Sequence, residues 1–570
     1  MPLLHHPLRL IRLLLLSAIP VGVTLYAILY WTSDPDQLAT WYKHLHPFFY
    51  KAGIWESEFF TEEVKKKGNY WCLAALASAF VGTYLCWKMA FPTFPRIILK
   101  KQAVFTSLIV VIGGSVLSLV ANFHSTYSSD EVFSSLNFGS LPLFQTLSYY
   151  PLPNNHPLFN SISGWGSDPV MTGRIVSLFC YVGVLLFSWY FLKKWELSNW
   201  LNAILLMVVA VQFPVWGFSG QARGYEMVLL FSCLSFGSLY NYFFTGAKHW
   251  LPLHTVCNVL GMLTIPTYLY WWLGLLIASL IYQIKRQRVD WVYIRFSVIG
   301  FAFSLITYLP LLTFSGSRSI TDNKYVRASD SSTWYFLTHL NEQRFFDVLF
   351  KEWFSVEQAP LLVGAICVLT PILFYISISL KRNDKSVIAP IFNSKNNALG
   401  TIYLSILTAF FLMVILMVKF PFTRNLIAHG YLVLLVFMIT LIQVFRSKKV
   451  RILIAFLLLL YIGFAGKNNF NKMPYHLYYY DVAGYVNKMK KMDVDIKPGS
   501  SVYLDDECFY WWYIIKNKFS DREIKIVYGR SLFNNQDYCI MPVDSFPPVD
   551  TLMYELLEKG LDQQIFRKRN

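Results

Sequence analysis

Charge is what this sequence has least of. Asp, Glu, Lys and Arg together make up 15% of 570 residues, against 55% hydrophobic and 18% aromatic. With the apolar residues gathered in long blocks, that shortage excludes an ordinary soluble domain. Paired cysteines are missing too. None of the eight stands in a C-x-x-C pair, which argues against a zinc or dithiol redox motif. Cys72, Cys86, Cys180, Cys233, Cys257 and Cys367 lie in or beside apolar blocks, where cysteine acts as a small hydrophobe. Cys508 and Cys539 share a polar C-terminal region; a disulfide in an oxidising compartment and two buried thiols are equal alternatives. No G-x-x-x-x-G-K-[ST] phosphate loop occurs, which argues against ATP-driven chemistry. The first apolar run has no small-x-small cleavage site, so it reads as a retained span. No repeat recurs at a fixed period, so an inverted-repeat transporter finds no support.

What is present is a series of apolar runs, each long enough for a hydrocarbon core about 30 Å thick. The expected spans are 11–31, 70–90, 103–122, 171–192, 199–217, 225–245, 252–268, 269–285, 293–313, 360–380, 399–418, 426–445 and 450–466. They make about thirteen. The balance of 50 Lys+Arg against 33 Asp+Glu gives +17. Much of that charge falls in short loops, with no basic patch interleaved with stacking aromatics, so nucleic acid is not an expected partner. Arg9 and Arg12, then the clusters at 92–102, 193–195, 246–250, 285–288, 381–385 and 446–451, share one side if the N-terminus is cytoplasmic. The Lys-rich stretch 64–68 is the exception. An odd span count then places the C-terminus outside.

Three long loops, 32–69, 123–170 and 314–359, fall on the outer side, where long loops tend to carry function. The aromatic, proline-rich loop 123–170 suggests short interfacial helices. From about Lys467 the texture changes. Stretches around 500–506, 523–529 and 537–541 alternate like strands, while 478–492 and 550–560 have helical spacing, the latter ending at Gly560. That suggests a small α/β domain with no phosphate loop or nucleophile elbow. The expected division is a membrane domain over 1–466 and an extracytoplasmic α/β domain over 467–570.

The candidates for chemistry cluster on the outer side. Asp130 and Glu131 stand just beyond an apolar run, and a loop acid is most often simply solvated. Here the loop also carries His156 before Pro157 in an aromatic, proline-stiffened segment that can fold over the bilayer edge. A carboxylate enclosed in that way can take a proton from an attacking hydroxyl. Arg223 and Glu226 are three apart at the junction of two spans, either a structural ion pair on one helix face or part of a site. Arg174 opens one span, and Arg424, with Lys419 nearby, precedes another. Each could be a snorkelling anchor, but three Arg facing the leaflet of the acids suit a lipid phosphate, which guanidinium binds bidentately. Asp130, Glu131 and His156 have the donor types for a divalent ion. No second cluster with ligand spacing accompanies them, and no cofactor is expected.

These residues resemble a known family. The pair Asp130–Glu131 after an early span, H-P-L at His156, Arg174 opening a span, S-x-x-A-R-x-Y from Ser219 to Tyr225, and R-N-L at Arg424 are similar, in order and sidedness, to the C-type glycosyltransferase superfamily. The closest group is the bacterial relatives of dolichyl-phosphate-mannose protein mannosyltransferases and of the aminoarabinose–lipid A transferase. The segment Thr264 to Ile277 also looks like that family's paired spans. The resemblance covers about 103–445. It implies an all-α polytopic membrane protein with interfacial helices, a polyprenyl-phosphate-linked sugar as donor, and inversion at the anomeric carbon. It places Asp130 as catalytic acid residue with Glu131 as its neighbour, His156, Arg174, Arg223 and Tyr225 in the pocket, and Arg424 as the late Arg. Relatives often read S-Q-E-A-R where this chain has Gln221, and more spans precede the acidic loop than the one of simpler members.

The expectation is therefore a multi-pass inner-membrane glycosyltransferase with a periplasmic active site. Its acceptor would be a glycan, lipid or protein, Asp130 the base, and Glu226 and Lys419 further substrate-binding groups. The alternative from another class is a transporter or flippase for a lipid-linked or anionic substrate.

Overall fold

The computed structural model describes residues 5–45, 59–88, 104–124, 129–139, 141–148, 155–195, 197–314, 395–417, 423–444, 447–476, 495–505, 522–528, 536–542, 552–559 and 563–569, and the single residues Gly316, Ile320, Cys508, Ile515 and Asp550. The N-terminal helices are α1 (His5–Thr32), α2 (Pro35–Leu45), α3 (Glu62–Lys88) and α4 (Val104–His124). A loop region follows with α5 (Ser129–Ser134), a π-helical turn (Ser135–Gly139), α6 (Leu143–Ser148) and α7 (Pro157–Ser163). Then come α8 (Pro169–Lys193), α9 (Asn199–Ala210), α10 (Phe213–Ser219), α11 (Tyr225–Thr245), α12 (Leu251–Thr264), α13 (Leu269–Lys285) and α14 (Trp291–Phe314). Beyond these lie α15 (Lys395–Met417), α16 (Ile427–Val444) and α17 (Lys448–His476).

Among the described residues eight helices are long and apolar enough to cross a membrane: α1, α3, α8, α11, α14, α15, α16 and α17. The pair α9–α10 makes a ninth if its two halves form one span, bent by 65°. The bend has a local cause. Pro214 lacks the N–H needed to continue a helix, and it sits in the first turn of α10 after the break at Gln212. α12 and α13, at 14 and 17 residues, are shorter and meet in a 3₁₀ turn at Pro266–Tyr268. The expected spans outside 360–380 coincide with helices in the described residues, except that 199–217 is divided between α9 and α10 and 252–268 ends in the 3₁₀ turn; 360–380 itself lies outside the described residues.

The largest buried cluster runs through α8, α9, α11, α13, α15 and α16, with Leu185, Leu205, Phe236, Leu275, Ile406 and Val436 among its members. A second ties α1, α2 and α3 to the end of α14 through Tyr30, Tyr42, Cys72 and Phe314. Leu25, Phe80, Ile112, Phe179, Leu416 and Leu457 stay exposed. Large side chains left out in such numbers suit a protein whose outer solvent is hydrocarbon.

The C-terminal region holds a five-stranded sheet: β1 (Ser501–Leu504), β2 (Lys525–Tyr528), β3 (Tyr538–Pro542), β4 (Tyr554–Lys559) and β5 (Gln563–Lys568), in the order β2-β1-β3-β5-β4. β1 pairs in parallel with β2 and β3, whereas β5 runs antiparallel to β3 and β4. One correction follows. The stretch 550–560, expected as a helix, contains the strand β4. Leu, Glu and Lys favour helices, but pairing with β5 overrides that weak preference, and Arg567 Nε donates to Glu555 Oε1 at 2.7 Å across the two strands. Gly560, taken as a helix stop, and the stretch 478–492 lie outside the described residues. α17 runs on as one helix past position 467. Cys508 and Cys539 are both buried, and neither is in a disulfide. They pack on opposite faces of the sheet, Cys508 with Val502 and Ile540, Cys539 with Tyr503 and Phe566.

Candidate active site

Asp130 and Glu131 stand in the first turn of α5, where carboxylates suit the positive end of the peptide dipoles. Their side chains part there. Glu131 goes inward. Its Oε1 accepts from Arg174 Nε at 2.9 Å and from the Ala222 amide at 2.6 Å, and its Oε2 accepts from Arg174 Nη2 at 3.0 Å. Both members of this fork are 1% exposed. The chain thus spends two of its expected site residues on a closed, bidentate pair that ties α5 to α8 and to the turn before α11. Arg174 faces Glu131 in that pair, where the sequence suggested a lipid phosphate as its partner.

Asp130 goes the other way. Its Oδ2 accepts from Arg223 Nη1 and, at 3.4 Å, from Arg424 Nη1. Asp130 keeps 35% of its side chain exposed and Arg424 25%, whereas Arg223 is 3% exposed. An arriving ligand therefore meets the carboxylate and the Arg424 guanidinium first. Tyr225 forms the platform. The Arg223 and Arg424 guanidinium carbons lie 5.1 and 5.9 Å from its ring centroid, and its hydroxyl accepts from Arg223 Nη2 at 3.3 Å. The His156 ring stands edge-on to Tyr225, centroids 5.0 Å apart.

His156 is 1% exposed, and neither of its nitrogens has a hydrogen-bond partner. Burial holds its pKa well below the ordinary imidazole range; Arg223 and Arg424 push it the same way, and Asp130 opposes them. The ring is therefore neutral near pH 7, with one donor and one acceptor.

The backbone that presents Arg223 is built for close approach. α10 ends at Ser219, and the segment 220–224 turns before α11 begins. Ser177 Oγ, one turn along α8 from Arg174, donates to the Gln221 carbonyl at 2.6 Å. A Cβ on Gly173 would come 2.8 Å from the Ala222 Cβ, and one on Gly224 would come 2.8 Å from Thr264 Cγ2 and 3.2 Å from His156 Cβ. Both glycines are where side chains have no room. Ser177 was marked by no motif, although it shares a helical face with Arg174; Thr264 and Ala222 fell within motif segments, but the motifs assigned them no contact in the site.

Arg223 lies in the turn and not on α11, so the three-residue spacing to Glu226 does not make a helical ion pair. Glu226 is fully buried on α11, and neither carboxylate oxygen has a hydrogen-bond partner. Its electrostatic neighbours are Cys180, Tyr181 and Cys233. Lys419 lies outside the described residues. Among the described residues no group of three or more His, Cys, Asp or Glu side chains could hold a metal ion.

No family model matches the chain, and no curated protein matches it either. Among solved structures the chain is similar to the arabinosyltransferase EmbB from Mycobacterium smegmatis, with 14% identity and a TM-score of 0.35 over 66% of this chain and 34% of that one. It thus spans about a third of the EmbB chain. It is also similar to ArnT from Cupriavidus metallidurans bound to undecaprenyl phosphate, with 12% identity and a TM-score of 0.37 over 81% of this chain and 98% of that one.

Proposed function

We propose that this protein is an integral-membrane glycosyltransferase of the C-type kind. It moves a sugar from a polyprenyl-phosphate carrier to a glycan, lipid or protein acceptor at the outer face of the inner membrane. The observation that supports this most is a partly exposed carboxylate at a span's end, held between two guanidinium groups over an aromatic ring. The order of motifs in the sequence supports the same reading.

In this proposal the carrier phosphate draws on Arg424 and Arg223. That relieves Asp130 of its counter-charges and raises its basicity as the acceptor arrives. Asp130 takes the proton from the acceptor hydroxyl while that oxygen attacks the anomeric carbon. The bond from that carbon to the phosphate oxygen breaks with inversion, and the electron pair leaves on the carrier phosphate. Arg424 and Arg223 hold the developing charge. Tyr225 gives the sugar an aromatic floor, and neutral His156 offers it a hydrogen bond. Glu131 and Arg174 hold Asp130 and Arg223 in register. Lys419 is proposed as a further phosphate contact. Glu226 stays in the proposal only as a buried acceptor one turn below Arg223, which the step does not use.

A transporter or flippase is the second reading, favoured by the bent pair α9–α10, which leads into the turn that carries Arg223. Mass spectrometry of cell-surface glycoconjugates separates the two. A strain without the gene should lose one sugar substituent, which names donor and acceptor. The gene carrying Asp130→Asn should fail to restore it. Full restoration by that variant would reject the transferase reading in favour of transport.

A further inference from the structure

The end of the bundle opposite Asp130 carries a second cluster of charge, and no step described above uses it. α8 begins beside Glu131 and runs 25 residues, about 37 Å, to Lys193. Lys194, just past its end, is half-buried between α11 and α15. Its ammonium donates to Asn241 Oδ1, and it lies 4.8 Å from the Tyr190 ring centroid and 5.9 Å from that of Tyr240. Lys395 reaches in from α15. Its Nζ donates to the Lys194 carbonyl at 2.8 Å and stands 6.0 Å from the Phe244 centroid.

Two ammonium groups are thus gathered on aromatic faces, and among the described residues no carboxylate pairs with Lys194. Burial, with Lys395 adding to it, pushes the Lys194 pKa down to about 8. The surrounding groups are also rich in donors. Tyr240 Oη and Trp195 Nε1 are buried without a hydrogen-bond partner, and their rings are 6.4 Å apart. An anion would screen the two lysines from each other and give these donors an acceptor. The place is a bilayer edge, with exposed Trp200 at the start of α9 and exposed Leu186 on α8. Lysine heads on aromatic rings at such an edge match a lipid headgroup, with its acyl chains running along the apolar helix faces.

We propose that Lys194 and Lys395 form a binding site for the phosphate headgroup of an anionic phospholipid in the leaflet opposite the Asp130 site. The test is native mass spectrometry of the full chain in detergent, titrated with phosphatidylglycerol or with phosphatidylcholine. The wild-type protein should retain phosphatidylglycerol at least about tenfold more tightly than phosphatidylcholine, and the double variant Lys194→Gln/Lys395→Gln should lose that preference. Lys448→Gln, at an exposed lysine on α17, should keep it. Equal retention of the two lipids, or wild-type behaviour of the double variant, would overturn the proposal. So would inorganic phosphate displacing phosphatidylglycerol at millimolar concentration, since that would mark a site for a free anion. If the double variant does not fold, the wild-type protein decides the matter. Its phosphatidylglycerol affinity must fall as salt rises, and a salt-independent affinity would refute the site.

Discussion

Removing Glu131 should damage the protein's stability more than any exposed charge could. The Glu131→Ala change strips Arg174 of both its carboxylate bonds and leaves the Ala222 amide without its acceptor, all in a place 1% exposed. Breaking a buried pair by deleting one partner costs about 3–5 kcal/mol. An orphaned buried amide costs about 1–3 kcal/mol, and the two overlap because the loop relaxes around both. A loss of about 4–6 kcal/mol is expected, a large share of the 5–15 kcal/mol that usually holds a domain together. The double variant Glu131→Leu/Arg174→Met removes both charges and orphans only the amide. It should sit within about 1–3 kcal/mol of wild type and so be more stable than either single variant. Denaturant unfolding in detergent, followed by tryptophan fluorescence, reads the whole cycle. Single variants costing under about 1 kcal/mol, as exposed pairs do, would refute the clamp. So would a double variant whose cost is the sum of the two.

Other changes should separate binding from architecture. Arg424→Ala, at a guanidinium one-quarter exposed, should weaken donor binding by about 10- to 100-fold with little change in stability or in acceptor affinity; a selective effect on the acceptor would misplace the carrier. Gly224→Ala should cost about 1–3 kcal/mol by overpacking, and Thr264→Ser, which removes the methyl 2.8 Å away, should recover most of it; no recovery would show that the crowding lies elsewhere. His156 binds protons more weakly folded than unfolded, so its contribution to stability is complete above the unfolded value near 6.5 and is lost as pH falls from there toward the lower folded pKa. Between those values wild type should lose up to about 1.4 kcal/mol per pH unit more than His156→Phe. Parallel pH profiles for the two would show that folding leaves the His156 pKa unchanged.

The membrane helices were legible because a bilayer demands long apolar runs, and in the described residues such runs are helical. The break in 199–217 was not read, although Pro214 carries it, because the run is apolar on both sides of the proline. The strand β4 was missed because its residues favour helix and its pairing partner lies beyond Gly560. In the candidate site, residues that the sequence singled out, Asp130, His156, Arg223, Tyr225 and Arg424, do lie together, but the sequence did not assign their partners. Asp130 and Glu131 are adjacent, yet the first turn of α5 sends them to different arginines. The deciding contact for Glu131 is the Ala222 amide, and a backbone donor leaves no mark in a sequence. Arg223 and Glu226 have the spacing of a helical pair, but α11 starts only at Tyr225.

The central claim is that Asp130 is a base in sugar transfer, and one comparison tests it most directly. Cells lacking the chromosomal gene would carry it back as wild type, Asp130→Asn or Asp130→Glu at matched membrane abundance, and the modified glycoconjugate would be quantified by mass spectrometry against its unmodified form. Losing a general base costs about 10²- to 10⁴-fold in rate. Asp130→Asn should therefore leave the unmodified form to accumulate, and Asp130→Glu, which keeps a carboxylate, should retain a measurable part of the activity. Wild-type modification by Asp130→Asn would contradict the account.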